Sequence, residues 1–191
     1  MSGETSVEHL PAPAEGWIPV DPFPNGPATR SFVSGSAAAS DRRTRVAYFR
    51  KDASEHLYAC VWFGPLTEGP PDSVHGGAIA AVLDEAMGAS CWMNHHPVVG
   101  ARITINYRHL VPLGFAGHVE AWIDHIERRK CFITSRLSDP AGKVYAEGEG
   151  LFIKLTPEQI EASLRARARR ARLIADPRSP IPDPRSLIPD P

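Results

Sequence analysis

The stretch DSVHGGAIAAVLDEAMG, residues 72–88, constrains the fold more than any other part of the chain. GPPDS at 69–73 cannot be helical, so a helix starts at about His75 or Gly76 and continues through small apolar residues. The other patterned segments between residues 45 and 155 have the composition or the period of strands. RVAYFR (45–50) and LYACVWF (57–63) combine β-branched and aromatic residues around the loop KDASEH. ARITINYRHL (101–110), HVEAWIDHIE (118–127), KCFITSRLSD (130–139) and KVYAEGEGLFIKL (143–155) follow the helix. Ile103, Ile105 and Tyr107 alternate with polar residues, as do Val119, Ala121 and Ile123, which predicts a sheet with one covered face. Short connections, including the turn DPAG (139–142), favour antiparallel neighbours. One long helix among five or six antiparallel strands buries its apolar side on the concave face of a strongly curved sheet. The expected class is α+β.

Both ends depart from this pattern. Residues 1–28 are rich in Pro, Ala and Gly and are expected to wrap the domain or stay mobile, which leaves 29–156 as the folded domain. A second, basic helix is expected over 157–175, with Thr156 as N-cap and Pro157 at the first helical position. ADPRSPIPDPRSLIPDP at the end nearly repeats itself, and its prolines predict an extended tail over 176–191.

The formal net charge of −1 predicts no strong attraction to nucleic acid or membrane. No apolar run is long enough to span a bilayer, and MSGETSVEHLPAPAEG lacks the basic start and apolar core of a secretory signal. Cys60, Cys91 and Cys131 are odd in number and widely spaced, which argues against a disulfide framework or a zinc site. Buried thiols in a reducing cytoplasm are the expectation.

Two glycines in a first helical turn weaken a helix by roughly 1 kcal/mol each relative to alanine. They also leave open the first N–H groups, which have no partner within the helix and sit at the positive end of its dipole. Gly76 and Gly77 therefore form either a tight packing turn or a site for a carbonyl oxygen gaining negative charge. Asp84 shares its helix face with Ala80, Ala81, Met87 and Gly88. A carboxylate there is costly unless it is paired or borders a cavity. Glu85 lies about 100° further round and reads as an ordinary structural or solvent-facing acid. His75 by itself reads as a cap, a core histidine or an orienting group. The remaining histidines lack metal spacing, and the chain has no nucleophile elbow, phosphate-binding glycine loop or H-E-x-x-H motif.

VHGGAIAAVLDEAMG, ITINYRHLVPLG, ERRKCFI and GLFIKLTP occur in that order over about residues 57–156. In this the chain resembles the hotdog-fold acyl-CoA thioesterases, in particular the thioesterase superfamily member type related to the phenylacetyl-CoA (PaaI) group. The resemblance implies one central helix wrapped by a curved antiparallel sheet, and a homodimer or homotetramer with active sites at the subunit interface. It implies hydrolysis of a CoA thioester with no cofactor or metal, CoA entering only as part of the substrate. Carried over by position, the Gly76 N–H holds the thioester oxygen, Gly77 shapes the turn, and His75 orients the group. Asp84 attacks the carbonyl or activates water; both routes stay open.

Two positions depart from the family pattern. Gly69 stands where related enzymes often carry an Asn, and Gly100 aligns with a Ser or Thr that positions the water. Thr104 lies close to Gly100 in sequence but two strand periods on. CoA phosphates call for cations, and Arg108, Arg128, Arg129 and Lys130 are the candidates; an exposed charged turn explains any single one of them equally well.

Two other functions remain in view. A non-catalytic hotdog module could sense acyl-CoA, with SLRARARRARLI (163–174) as a basic arm. That segment carries five arginines but no aromatic residue to stack on bases. A hotdog enoyl-CoA dehydratase would pair an acid with a catalytic His in another arrangement. Gly76 and Asp84 are eight residues apart, about 12 Å along one helix. One carbonyl cannot reach both within a single chain, so the spacing itself predicts an assembly of two or more copies.

Overall fold

The computed structural model describes residues 10–23, 33, 42–52 and 54–175, with side chains as far as 166. The expected tail over 176–191 and half of the segment 1–28 lie outside the described residues. The chain forms two units, Met1–Lys154 and Leu155–Pro191.

Among its described residues the first unit carries seven strands and one long helix: β1 (Ile18–Pro19), β2 (Thr44–Arg50), β3 (Leu57–Phe63), α1 (Gly76–Met93), β4 (Val98–Tyr107), β5 (Ala116–Glu127), β6 (Lys130–Ser138) and β7 (Val144–Lys154). The strands form one antiparallel sheet in the order β1-β2-β3-β5-β6-β7-β4. α1 packs against β3 to β7. One helix packed on one antiparallel sheet is the arrangement that the resemblance implies. Ile79, Val82, Leu83, Ala86 and Met87 repeat at helical spacing and are all buried. They meet the inward residues of the strands, among them Leu57, Val61, Val119, Leu137 and Phe152.

Three differences from the sequence reading follow from topology. The two-residue β1 adds a seventh strand, pairing Ile18 with Arg50 and Pro19 with Phe49. Beside it, Trp17 sets its ring 5.5 Å from Phe49 and 5.0 Å from both Tyr58 and His118, so this segment lies against the sheet. β4 begins at Val98 rather than 101 and ends at Tyr107. The covered face expected for Ile103, Ile105 and Tyr107 is also incomplete: Ile103 is 38 % and Tyr107 53 % exposed, and Ile105 alone is half-buried. β4 is the last strand in the order, with only β7 beside it among the described residues, so no described segment closes over that side.

In the second unit, α2 spans Pro157–Ala175. Gln159 N–H donates to Thr156 Oγ1 (3.3 Å) and Thr156 N–H donates to Gln159 Oε1 (2.9 Å), a reciprocal cap at the expected N-cap residue. Among the described residues no helix is long and apolar enough to cross a membrane.

Candidate functional site

The loop before α1 is tied down on both sides: His75 N–H donates to Thr67 O (2.7 Å) and Val74 N–H to Val111 O (2.8 Å). His75 is the N-cap, in extended conformation, and its Nδ1 accepts the Gly77 N–H at 2.8 Å. With Nδ1 an acceptor, the ring proton of a neutral His75 sits on Nε2. The His75 carbonyl accepts from Ala78 (2.9 Å) and Ile79 (3.3 Å). Three of the first four donors of the helix thus have partners. The Gly76 N–H has none among the described residues. It shares a peptide unit with the doubly bonded His75 carbonyl, which strengthens it as a donor. The glycine pair therefore leaves a single open backbone donor at the helix start, on the residue the resemblance selects.

Gly69 could not carry a donor side chain in this backbone. A Cβ there would lie 2.7 Å from His75 Cα. The loop closes too tightly on the capping histidine for the asparagine common in related enzymes.

Asp84 is half-buried and has no hydrogen-bond or ion-pair partner among the described residues. Burial, and then the neighbouring Glu85 charge, push its carboxyl above the usual aspartate range. Glu85 itself is turned toward the sheet, where it accepts a 2.7 Å hydrogen bond from the buried Tyr48 hydroxyl. The two adjacent acids therefore differ: one is tied to the fold, the other is left open. Opposite Asp84 stands Gly100, where a Cβ would lie 3.6 Å from Asp84 Oδ1 and 3.5 Å from Phe152 Cε1. The register of β4 on β7 slips there, Gly100 facing Phe152 and Arg102 facing Leu151, so Ala101 bulges out of the ladder.

The candidate cations are not gathered around these groups. Arg108 is exposed and paired through Nε and Nη2 with Glu147, both at 2.7 Å. Arg128 occupies the β5–β6 turn in the left-handed region, with φ 56°. Arg129 donates through Nε (3.0 Å) and Nη2 (2.9 Å) to Lys154 O, while Lys130 is exposed. This turn pairs with the end of β7 and so lies by Val98, at the start of β4. Gly76 lies by Tyr107, at the other end of that strand, roughly 30 Å away by strand rise. Within one chain the basic turn and the open N–H do not meet.

The sequence reading missed one contact. The Tyr107 hydroxyl donates to Gly76 O at 2.9 Å. Its alternation with Ile103 and Ile105 marked it as a sheet-face residue, and no local signal links residue 107 to residue 76. Among the described residues no group of three or more His, Cys, Asp or Glu side chains is placed to hold a metal ion. Cys60, Cys91 and Cys131 are free and buried.

Residues 72–146 match the sequence model of the Thioesterase superfamily. Acyl-coenzyme A thioesterase THEM4 of Xenopus laevis is 36% identical over 110 residues, which cover 57% of this chain and 50% of that protein. The chain spans about half the length of the curated relatives it matches. The fold is shared with a thioesterase superfamily protein of known crystal structure, at 22% identity and a TM-score of 0.59 over 77% of this chain and 70% of that one. It is also shared with the E. coli PaaI protein from the phenylacetic acid degradation operon, at 15% identity and a TM-score of 0.54 over 63% and 86%.

Proposed function

The chain carries a thioesterase-superfamily segment, and from that premise we propose that it hydrolyses an acyl-CoA thioester to the free acid and CoA. One observation carries this reading: the Gly76 N–H at the start of α1 and the Asp84 carboxylate on the same helix have no partner among the described residues, and both lie alongside β4. The thioester oxygen accepts from the Gly76 N–H, where the dipole of α1 stabilises the charge that develops on it. Asp84 takes a proton from the attacking water, or attacks the carbonyl carbon itself to form an anhydride that water then hydrolyses to the free acid, restoring Asp84; the thiolate of CoA leaves in either case and takes up a proton.

Gly76 and Asp84 of one chain stand about 12 Å apart along the helix, so each site in this reading draws on two copies. The uncovered side of β4 supports the same view. It leaves one row of backbone groups unpaired and Val99, Ile103 and Tyr107 exposed, features that a second copy would cover. Such an arrangement also allows the basic turn of one copy to approach the Gly76 end of the other. Arg128 and Lys130 are then the better phosphate ligands, because Arg108 already has Glu147. Three buried, unpaired cysteines suit a reducing compartment such as the cytoplasm.

The test is thiol release from short, long and aromatic acyl-CoAs by the wild type and by Asp84→Asn. Release by the wild type that is lost in the variant supports the reading. Binding of acyl-CoA without release by the wild type would replace it with an acyl-CoA-sensing module.

A further inference from the structure

Resting on the thioesterase reading, the geometry points to Tyr107 as a positioning residue: its hydroxyl clamps Gly76 so that the Gly76 N–H is aimed at the thioester oxygen. The need for a clamp is plain from the sequence. Gly76 and Gly77 open the helix without a Cβ between them, so the first turn has more backbone freedom than any other part of α1. A donor that stabilises developing charge is useful only if its direction is set beforehand.

Two observations show how the chain restricts this freedom. On one side His75 holds Gly77 through Nδ1 and receives Ala78 and Ile79 at its carbonyl. The first bond holds the Gly76–Gly77 peptide plane at its N–H end and the second holds the His75–Gly76 plane, but neither grips the Gly76 carbonyl. On the other side the Tyr107 hydroxyl, from the end of β4, donates to that carbonyl at 2.9 Å. Its ring also takes the space a side chain would need. A Cβ on Gly76 would lie 3.2 Å from both Tyr107 Cζ and Oη, closer than ordinary van der Waals contact. The glycine at 76 and the tyrosine at 107 therefore fit as a pair, and the tyrosine replaces the restraint that a Cβ would otherwise supply. Tyr107 is 53 % exposed, so core packing does not account for its place.

Tyr107→Phe separates the clamp from the packing, because the ring stays and only the donor is lost. Losing one such hydrogen bond is expected to lower kcat by about five- to ten-fold, with KM within about two-fold of wild type. The melting temperature should stay close to wild type. Hydrogen exchange at the amides of Gly77 and Ala78 should quicken by a similar factor, and this readout needs no activity. Unchanged exchange in the variant overturns the inference, as does unchanged kcat in an active enzyme. A fall in melting temperature with kcat intact would also overturn it, since Tyr107 would then be purely structural. The thioesterase reading fails separately, if the wild type releases no thiol from any acyl-CoA; the exchange measurement still decides on the clamp.

Discussion

Gly100 faces the Asp84 carboxylate with no side chain between them: a Cβ at Gly100 would stand 3.6 Å from Asp84 Oδ1. Gly100 is not among the positive-φ residues, and the added atom would meet its neighbours at ordinary van der Waals distance. Gly100→Ser should therefore fold normally and bring a hydroxyl beside the acid. If Asp84 activates water, that hydroxyl helps to hold it, and turnover should rise about five-fold, the worth of one hydrogen bond. Steady-state thiol release checks this; a stable variant with reduced turnover would show that the open space serves the substrate.

Asp84→Asn should lower turnover by a factor of about 100 or more while binding of acyl-CoA persists, because charge and nucleophilicity are lost but shape is kept. The same substitution should raise the melting temperature at neutral pH. Burial raises the folded-state pKa of Asp84, so stability falls as pH rises through the ordinary aspartate range and on to the raised value. Below that range the acid is protonated in both folded and unfolded chains, and the advantage of Asn disappears. Thermal melts of the two proteins across acid and neutral pH measure the difference. In the wild type, activity should climb with pH as Asp84 ionises, with its midpoint above that of an ordinary carboxylate.

Co-assembly of an Asp84→Asn chain with a Gly76→Val chain tests whether sites are shared. Gly76→Val displaces the exposed Tyr107 ring rather than backbone, so the fold should survive. A mixed dimer with shared sites contains one intact pair of Gly76 and Asp84 and should regain roughly half the activity of a wild-type dimer. Sites built within single chains leave a lesion in each, and the mixture would stay inactive.

Trp17→Ala should destabilise the protein by about 2 kcal/mol, since a half-buried aromatic contact with three rings is lost. Turnover should be unaffected, because Phe49, Tyr58 and His118 lie on β2, β3 and β5, away from β4. A denaturant titration gives the first quantity and a thiol-release assay the second.

Most of the architecture was legible because its signals are local. Gly76 could be placed at the helix start since GPPDS excludes helix before it, and Thr156 at the second cap since Pro157 follows it. Composition, alternation and turn signals together located β2 to β7 to within a few residues. The roles of Glu85 and Asp84 were separable from their 100° offset, and Tyr48 supplies the partner of Glu85. The pairing of Trp17 with the sheet was not legible, because a two-residue strand has no period to detect.

What the sequence alone determined is the long helix, the strands β2 to β7 and which residues could carry an open donor and an open acid, since helix periodicity and capping chemistry act over a few residues. What only the tertiary structure decided is which distant residues serve them. The chain crosses from α1 to the far edge of the sheet before returning, which puts Gly100 against Asp84, Tyr107 on Gly76 and the basic turn at the opposite end of β4. Those juxtapositions depend on strand order, and strand order is set by the packing of the whole sheet around one helix, a long-range balance that no short segment encodes.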